Sequence, residues 1–306
     1  MKHRKSAIWI ALICLSLALS AAVAEAAGTN KQQNPASSQP LKQGQAAQNE
    51  GELSPAAQRN LDLMAAVNTE NIPAISSLIA AGADVNTPDR EGMSPLMRSA
   101  ARGNVDVVSL LLAKGASVNV TDIFGVTALM QASWAGHTEI VGLLISRGAD
   151  PELQSTVELP TLRKKGVNAL MGASMNGNLE TVKLLLTRGV AVNHQDSTGQ
   201  TALMYASSNG HADVACLLLS SGAKTEIKDQ FGRTALIVAT VHGQPQVVHA
   251  LLSAGANANV KDIHNLKPIV YASALDQGEI YRMLKSAMSR RTPVQGVSTN
   301  RLAPKQ

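Results

Sequence analysis

Glycine returns along this chain at a fixed interval, and no other feature narrows the possible folds as much. Gly92, Gly125, Gly166, Gly199 and Gly232 lie 33, 41, 33 and 33 residues apart. A second ladder, Gly82, Gly115, Gly148, Gly189, Gly222 and Gly255, is spaced 33, 33, 41, 33 and 33. Both ladders carry the same eight-residue excess between the same blocks, so the period is 33 and one unit holds an insertion. Self-similarity of this length builds a stack of like units, each touching only its neighbours. The material for burial agrees. Hydrophobic residues make up 45% of the chain but aromatics only 2%, so the core must consist of thin layers of Leu, Ala, Val, Ile and Met.

Within a block the sequence reads turn, helix, helix. Thr127-Ala128-Leu129-Met130-Gln131-Ala132-Ser133 starts one short helical pattern, and Ile140-Val141-Gly142-Leu143-Leu144-Ile145 lies on a second, with Gly136 between them. The second helix closes at Arg147-Gly148, where a basic last-turn residue and a glycine suited to positive φ are what a helix C-terminus favours. A polar stretch such as Ser117-Val118-Asn119-Val120-Thr121-Asp122 then leads to the next glycine with the composition of a turn.

These blocks resemble ankyrin repeats. Gly125-Val126-Thr127-Ala128-Leu129, Gly136-His137-Thr138-Glu139-Ile140-Val141, Gly210-His211-Ala212-Asp213-Val214 and Gly82-Ala83-Asp84-Val85-Asn86 are strings of that family's type. The resemblance implies an all-α repeat solenoid over residues 60–287: five full units between degenerate N- and C-terminal caps, with an insertion near 154–165. The caps are a truncated unit near Leu61–Asp89 and a divergent one near Ile263–Ala287, in which Asn265 replaces the opening glycine. One departure is consistent. Where the family usually has Pro-Leu-His at the start of the first helix, this chain mostly has Ala-Leu-Met, placing Met97, Met130, Met171 and Met204 in one register. The family's histidine links neighbouring repeats by hydrogen bonds, so a row of adaptable thioether packing is expected instead; oxidant scavenging or soft-metal binding by that row is the alternative.

Outside the repeats, Lys2, His3, Arg4 and Lys5 precede an apolar run from Ala7 to Leu19 and a small-residue stretch. Residues 1–26 therefore read as a secretory signal peptide, cleaved after Ala24 or Ala26, with an apolar run shorter than a membrane-spanning helix needs. Residues 27–59, rich in Gln, Asn, Ala, Ser and Pro, are expected to form a disordered tether, and residues 288–306 a disordered basic tail. Loss of Lys2, Arg4, Lys5 and Glu25 lowers the formal net charge from +5 to +3, and the remaining cations are scattered, so no nucleic-acid partner is implied. Cys216 would be the one remaining cysteine, which excludes an internal disulfide. It shares its register with Ser109, Gly142, Lys183 and His249, a variable and hence surface-facing position.

No Gly-Lys-Ser/Thr loop, His-Glu-x-x-His or Cys-x-x-Cys occurs, so no catalytic residue, cofactor or metal is assigned. His137 and His211 follow the family's Gly-His helix start and are read as structural. Gly243 separates His242 from His249.

By the family resemblance, recognition residues are the two before each opening glycine, the one after it, and two near the end of the first helix. In the third unit these are Ile123, Phe124, Val126, Trp134 and Ala135; in the sixth, Gln230, Phe231, Arg233, Val241 and His242. Phe124, Trp134 and Phe231 are the only Phe and Trp left after signal removal, and all three fall at such positions, as binding hot spots would. The alternative has the two Phe rings folding back onto the adjacent turn. Arg90, Glu91, Met93 and Arg102 on one side and Lys164, Lys165, Val167 and Met175 on the other would complete an apolar centre with a charged rim. The insertion is either a second contact or a neutral loop. The expected function is a monomeric periplasmic scaffold or regulator that binds an envelope protein on its concave face and is not an enzyme. A secreted effector binding a host protein is the alternative.

Overall fold

The computed structural model describes residues 53–290 and contains fourteen α-helices and no strands there. The expected signal peptide, the expected tether up to residue 52 and the expected tail beyond 290 lie outside the described residues. Helix α1 (Pro55–Asn68) starts before the expected domain boundary at 60, and α14 (Gly278–Arg290) runs past 287. Between them, α2 (Ile72–Ala80) completes the first cap. The full units are α3 (Pro95–Arg102) with α4 (Val105–Ala113), α5 (Ala128–Ala135) with α6 (Thr138–Ser146), and α7 (Ala169–Met175) with α8 (Leu179–Thr187), followed by two more. These are α9 (Ala202–Asn209) with α10 (Ala212–Ser220) and α11 (Ala235–Val241) with α12 (Pro245–Ser253); α13 (Pro268–Ala274) and α14 form the last cap.

Local chemistry sets both ends of each short helix. Ser94, Thr127, Asn168 and Thr201 are N-caps whose side-chain oxygens accept from the amides of Met97, Met130, Met171 and Met204. The capped residue is thus the repeated methionine, and all four methionines are buried in the central cluster, as a packing row requires. Each second helix before α14 ends in a Schellman turn: after α4, Gly115 N–H donates to Leu112 O and Ala116 N–H to Leu111 O, and the other Gly-Ala or Gly-Val pairs repeat this.

Two short helices per unit cannot bury an apolar face alone, so stability comes from stacking. Leu96 and Met97 from α3 meet Val107, Val108 and Leu111 from α4, and equivalent layers form one cluster from Leu63 to Leu284. First helices pack more closely on one another than second helices do, which curves the stack with the first helices inside.

A polar ladder links neighbouring units. The side chain that starts each second helix reaches back to the preceding unit: His137 Nε2 to Ala101 O (3.2 Å), Asn178 Nδ2 to Ser133 O (3.0 Å), and His211 Nε2 to Met175 O (3.0 Å). Each lies over the glycine of the unit before. At Gly136 (φ +79°) a Cβ would stand 2.7 Å from Asn178 Oδ1, so both backbone and neighbour demand glycine.

Candidate protein-binding face

Five of the turns between units are built on one aspartate each. Asp89, Asp122, Asp196, Asp229 and Asp262 use Oδ1 to accept the amides two and four residues on, for example Phe124 and Val126 for Asp122 at 2.8 and 2.9 Å. In four turns the second oxygen is held as well: by Arg98 for Asp89, Tyr205 for Asp196, Arg233 for Asp229 and Tyr271 for Asp262. Burial raises the Asp89 pKa, but the Arg98 hydrogen bond and the Met93 and Glu91 amides outweigh it and hold the carboxyl below its ordinary value.

Successive turns are joined edge to edge by backbone bonds. Ile123 N–H donates to Glu91 O, Thr156 to Phe124 O, Ser197 to Lys165 O, Gln230 to Thr198 O and Ile263 to Phe231 O, at 2.8–3.4 Å. The tips therefore form one continuous row whose side chains hold fixed positions relative to each other.

The insertion is part of that row. Ser155 stands in the aspartate register, and its Oγ accepts from Val167 N–H (3.1 Å), as Asp122 Oδ1 does from Val126. The eight extra residues lie between Ser155 and Gly166, within the expected 154–165. They close on themselves, with Ser155 N–H to Val167 O, Gly166 N–H to Ser155 O and Leu159 N–H to Lys164 O. Leu159 is buried in the central cluster, whereas Val157 beside it is 49% exposed.

Lys164 fastens the insertion to the next unit. Its Nζ donates to Gln200 Oε1 and to Tyr205 Oη (3.4 Å), lies 4.0 Å from Asp196 Oδ2 and stands 4.9 Å from the Tyr205 ring centroid. Burial lowers the Lys164 pKa, with the Asp196 charge acting against it. Burial and then Asp196 push the Tyr205 phenol well above its ordinary value, since the phenol O–H already donates to Asp196 Oδ2 (2.7 Å). On the inner face, the Trp134 indole lies over Gly172 of α7, in the space where a Cβ at 172 would overlap Cδ1 and Nε1. Its buried Nε1–H has no hydrogen-bond partner.

The expected recognition residues separate into two groups. Ile123 is 58% exposed and Phe231 38% exposed, the Phe231 ring with the Arg233 guanidinium carbon 4.8 Å from its centroid. Arg102 and Lys165 are exposed, and Lys164 is half-buried in the bonds above. Val126 and Met93, together with Val167, are buried and are not surface contacts. The residue after the positive-φ glycine has its amide held by the turn aspartate or Ser155, which directs an apolar side chain into the core. Phe124, Trp134 and Met175 are half-buried against the central cluster, so the aromatics are not a freely exposed group. The Phe231 turn is separated from the Phe124 turn by those at Lys165 and Thr198. Sequence reasoning marked the insertion that holds Val157, 49% exposed, as a second candidate contact, but it missed Ile263, exposed at 61%, and the buried Tyr205. The nine-residue step shared by Asp89–Arg98, Asp196–Tyr205 and Asp262–Tyr271 was the signal that could have found Tyr205.

Among the described residues no group of three or more His, Cys, Asp or Glu could hold a metal, and no helix is long and apolar enough to cross a membrane. Comparison with known families finds ankyrin repeats (3 copies) over residues 63–155 and 156–229 and a further ankyrin repeat over 231–263. The solved structure of the human ASB11 ankyrin repeat domain is similar, with a TM-score of 0.65 and 25% identity, covering 76% of this chain and 98% of that one. No curated protein sequence matches.

Proposed function

Because this chain belongs to the ankyrin-repeat family, whose members are protein-interaction modules, we propose that it is a periplasmic scaffold or regulator that holds an envelope protein against the inner face and turn tips of its first to third full units. The observation that carries the reading is at the third turn. Thr156 and Val157 both donate their amides to Phe124 O, which bonds the turn that carries exposed Val157 to the turn that carries exposed Ile123. Large apolar side chains left in water on adjoining turns are stabilised by a partner that covers them. A pre-ordered surface also binds without the entropy cost of ordering loops, so its mechanism is rigid-surface recognition. Export is supported by Lys2–Lys5 ahead of the Ala7–Leu19 apolar run.

Capture from crosslinked periplasm tests this, comparing tagged wild type with an Ile123→Ser/Val157→Ser variant of equal melting temperature. Loss of one abundant protein from the variant is the expected result. Equal recovery from both would remove this site from the binding face, and finding the chain only in culture medium would replace the periplasmic role by the secreted one.

A further inference from the structure

The row of turn tips has a charge pattern that its composition hides. From the residue before each aspartate, or Gln154 in the unit with the insertion, to the residue before each glycine or Asn265, the turns hold Arg90, Arg163, Lys164, Lys165, Lys228 and Lys261. Against them stand five aspartates, Glu91 and Glu158. The aspartates are turned inward, each accepting two backbone amides, and Asp196, Asp229 and Asp262 are buried. Glu91 is in an ion pair with Arg98 at 3.0 Å. What faces water is therefore mostly cationic: all the basic residues above except half-buried Lys164 are exposed.

Between these cations stand the exposed apolar side chains of the same row: Ile123 and Val157, then Phe231 and Ile263. The order along the stack is Arg90, Ile123 with Val157, Arg163 with Lys165, Lys228 with Phe231, and Lys261 with Ile263. The turn at 195–198, between those of Lys165 and Lys228, carries neither kind, and because neighbouring turns are bonded edge to edge the side chains on the other turns hold fixed positions along the row. Packed helices stand ~8–10 Å apart and an extended chain advances ~3.3 Å per residue, so about every third side chain of an extended segment meets a successive tip.

We propose that the tip row from Arg90 to Ile263 docks an extended, acidic polypeptide segment carrying apolar side chains about three residues apart. The inference rests on the scaffold reading above and names the chemistry of its partner. A polypeptide fits better than a nucleic acid because isolated aliphatic side chains interrupt the cations, and Arg233 lies against the Phe231 ring. Carboxylates would pair with the exposed Lys and Arg at the rim, steering encounter in a salt-dependent way, while Ile123, Val157 and Ile263 supply the apolar contacts.

The test is fluorescence anisotropy with the full chain and three labelled probes of about 18 residues, a length that spans six turns at three residues each. They are a repeat of Glu-Leu-Glu, a repeat of Lys-Leu-Lys, and a single-stranded oligodeoxynucleotide. The Glu-Leu-Glu probe is expected to bind best and to weaken with salt. A Lys165→Glu/Lys228→Glu/Lys261→Glu variant should bind it on the order of tenfold more weakly. An Ile123→Ser/Ile263→Ser variant should lose a similar factor while keeping the salt slope. All replaced residues are exposed, so unchanged melting is the control. Equal binding of the Lys probe, tighter binding of the oligonucleotide, or wild-type affinity in either variant overturns the inference. Two failures are distinguishable by the capture experiment. A client retained equally by the triple lysine variant removes the acidic segment alone, whereas no client at all removes the scaffold reading beneath it.

Discussion

The Trp134 ring occupies the space that a side chain at Gly172 would need: a Cβ there would overlap the indole Cδ1 and Nε1 atoms. Gly172 has an ordinary helical backbone, so helix propensity alone would prefer alanine by ~1 kcal/mol. The rigid indole opposes this, and forcing it out costs about 1–3 kcal/mol. Gly172→Ala is therefore expected to destabilise the wild type, with a red shift of Trp134 emission. In a Trp134→Ala background the same change should stabilise. Urea unfolding of the four proteins checks this change of sign, and additivity across the cycle would show that the pair is not coupled.

Gly103 and Gly115 have nearly the same backbone, φ +87° and +88°, but different surroundings. A Cβ at Gly115 meets nothing within 4 Å, while one at Gly103 would strike the His137 ring. Gly115→Ala should cost ~1–2 kcal/mol of left-handed strain. Gly103→Ala should cost a further ~1 kcal/mol, because the ring must leave Ala101 O. Equal midpoints for the two variants in urea would show that the histidine ladder contributes nothing.

Tyr205 makes stability depend on alkaline pH. Its folded-state pKa is raised by burial and by Asp196, so above the unfolded value of ~10 the folded state holds a proton that the unfolded chain releases. The contribution is fully present below pH ~10 and is lost as pH rises from there toward the folded-state value. Tyr205→Phe should flatten that alkaline loss. At neutral pH it should also cost about 1–3 kcal/mol, since buried Asp196 loses its phenol donor. Thermal melts at pH 7 and pH 11 separate the two effects.

The insertion offers an internal contrast. Leu159 is 3% exposed and Val157 49% exposed, two residues apart in one loop. Leu159→Ala should destabilise by ~2–5 kcal/mol, as a core truncation does, and Val157→Ala by less than ~0.5 kcal/mol. A silent Leu159→Ala in denaturant titration would show a loosely attached loop.

The fold was legible because each unit spells out its own turn, caps and helices within 33 residues, and repetition of the pattern removes ambiguity. The glycine ladders, the capped Ala-Leu-Met helix starts and the place of the insertion are local features of this kind. The binding face was only partly legible. Position after the glycine marked Val126 and Met93 as surface residues, but the turn amide bonds carry both inward. Phe124 and Trp134 stand at variable positions yet are half-buried against the central cluster.

The sequence by itself determined the unit, its period and the number of layers, because helix caps and turns depend on neighbours a few residues away. Only the tertiary structure decided which side chains of the inner face meet water. Whether Trp134 is exposed depends on Gly172, 38 residues on, and the positive character of the tip row depends on aspartates folding beneath their own turns. Exposure is a property of what stacks against a residue, and in a solenoid that is always the adjoining unit.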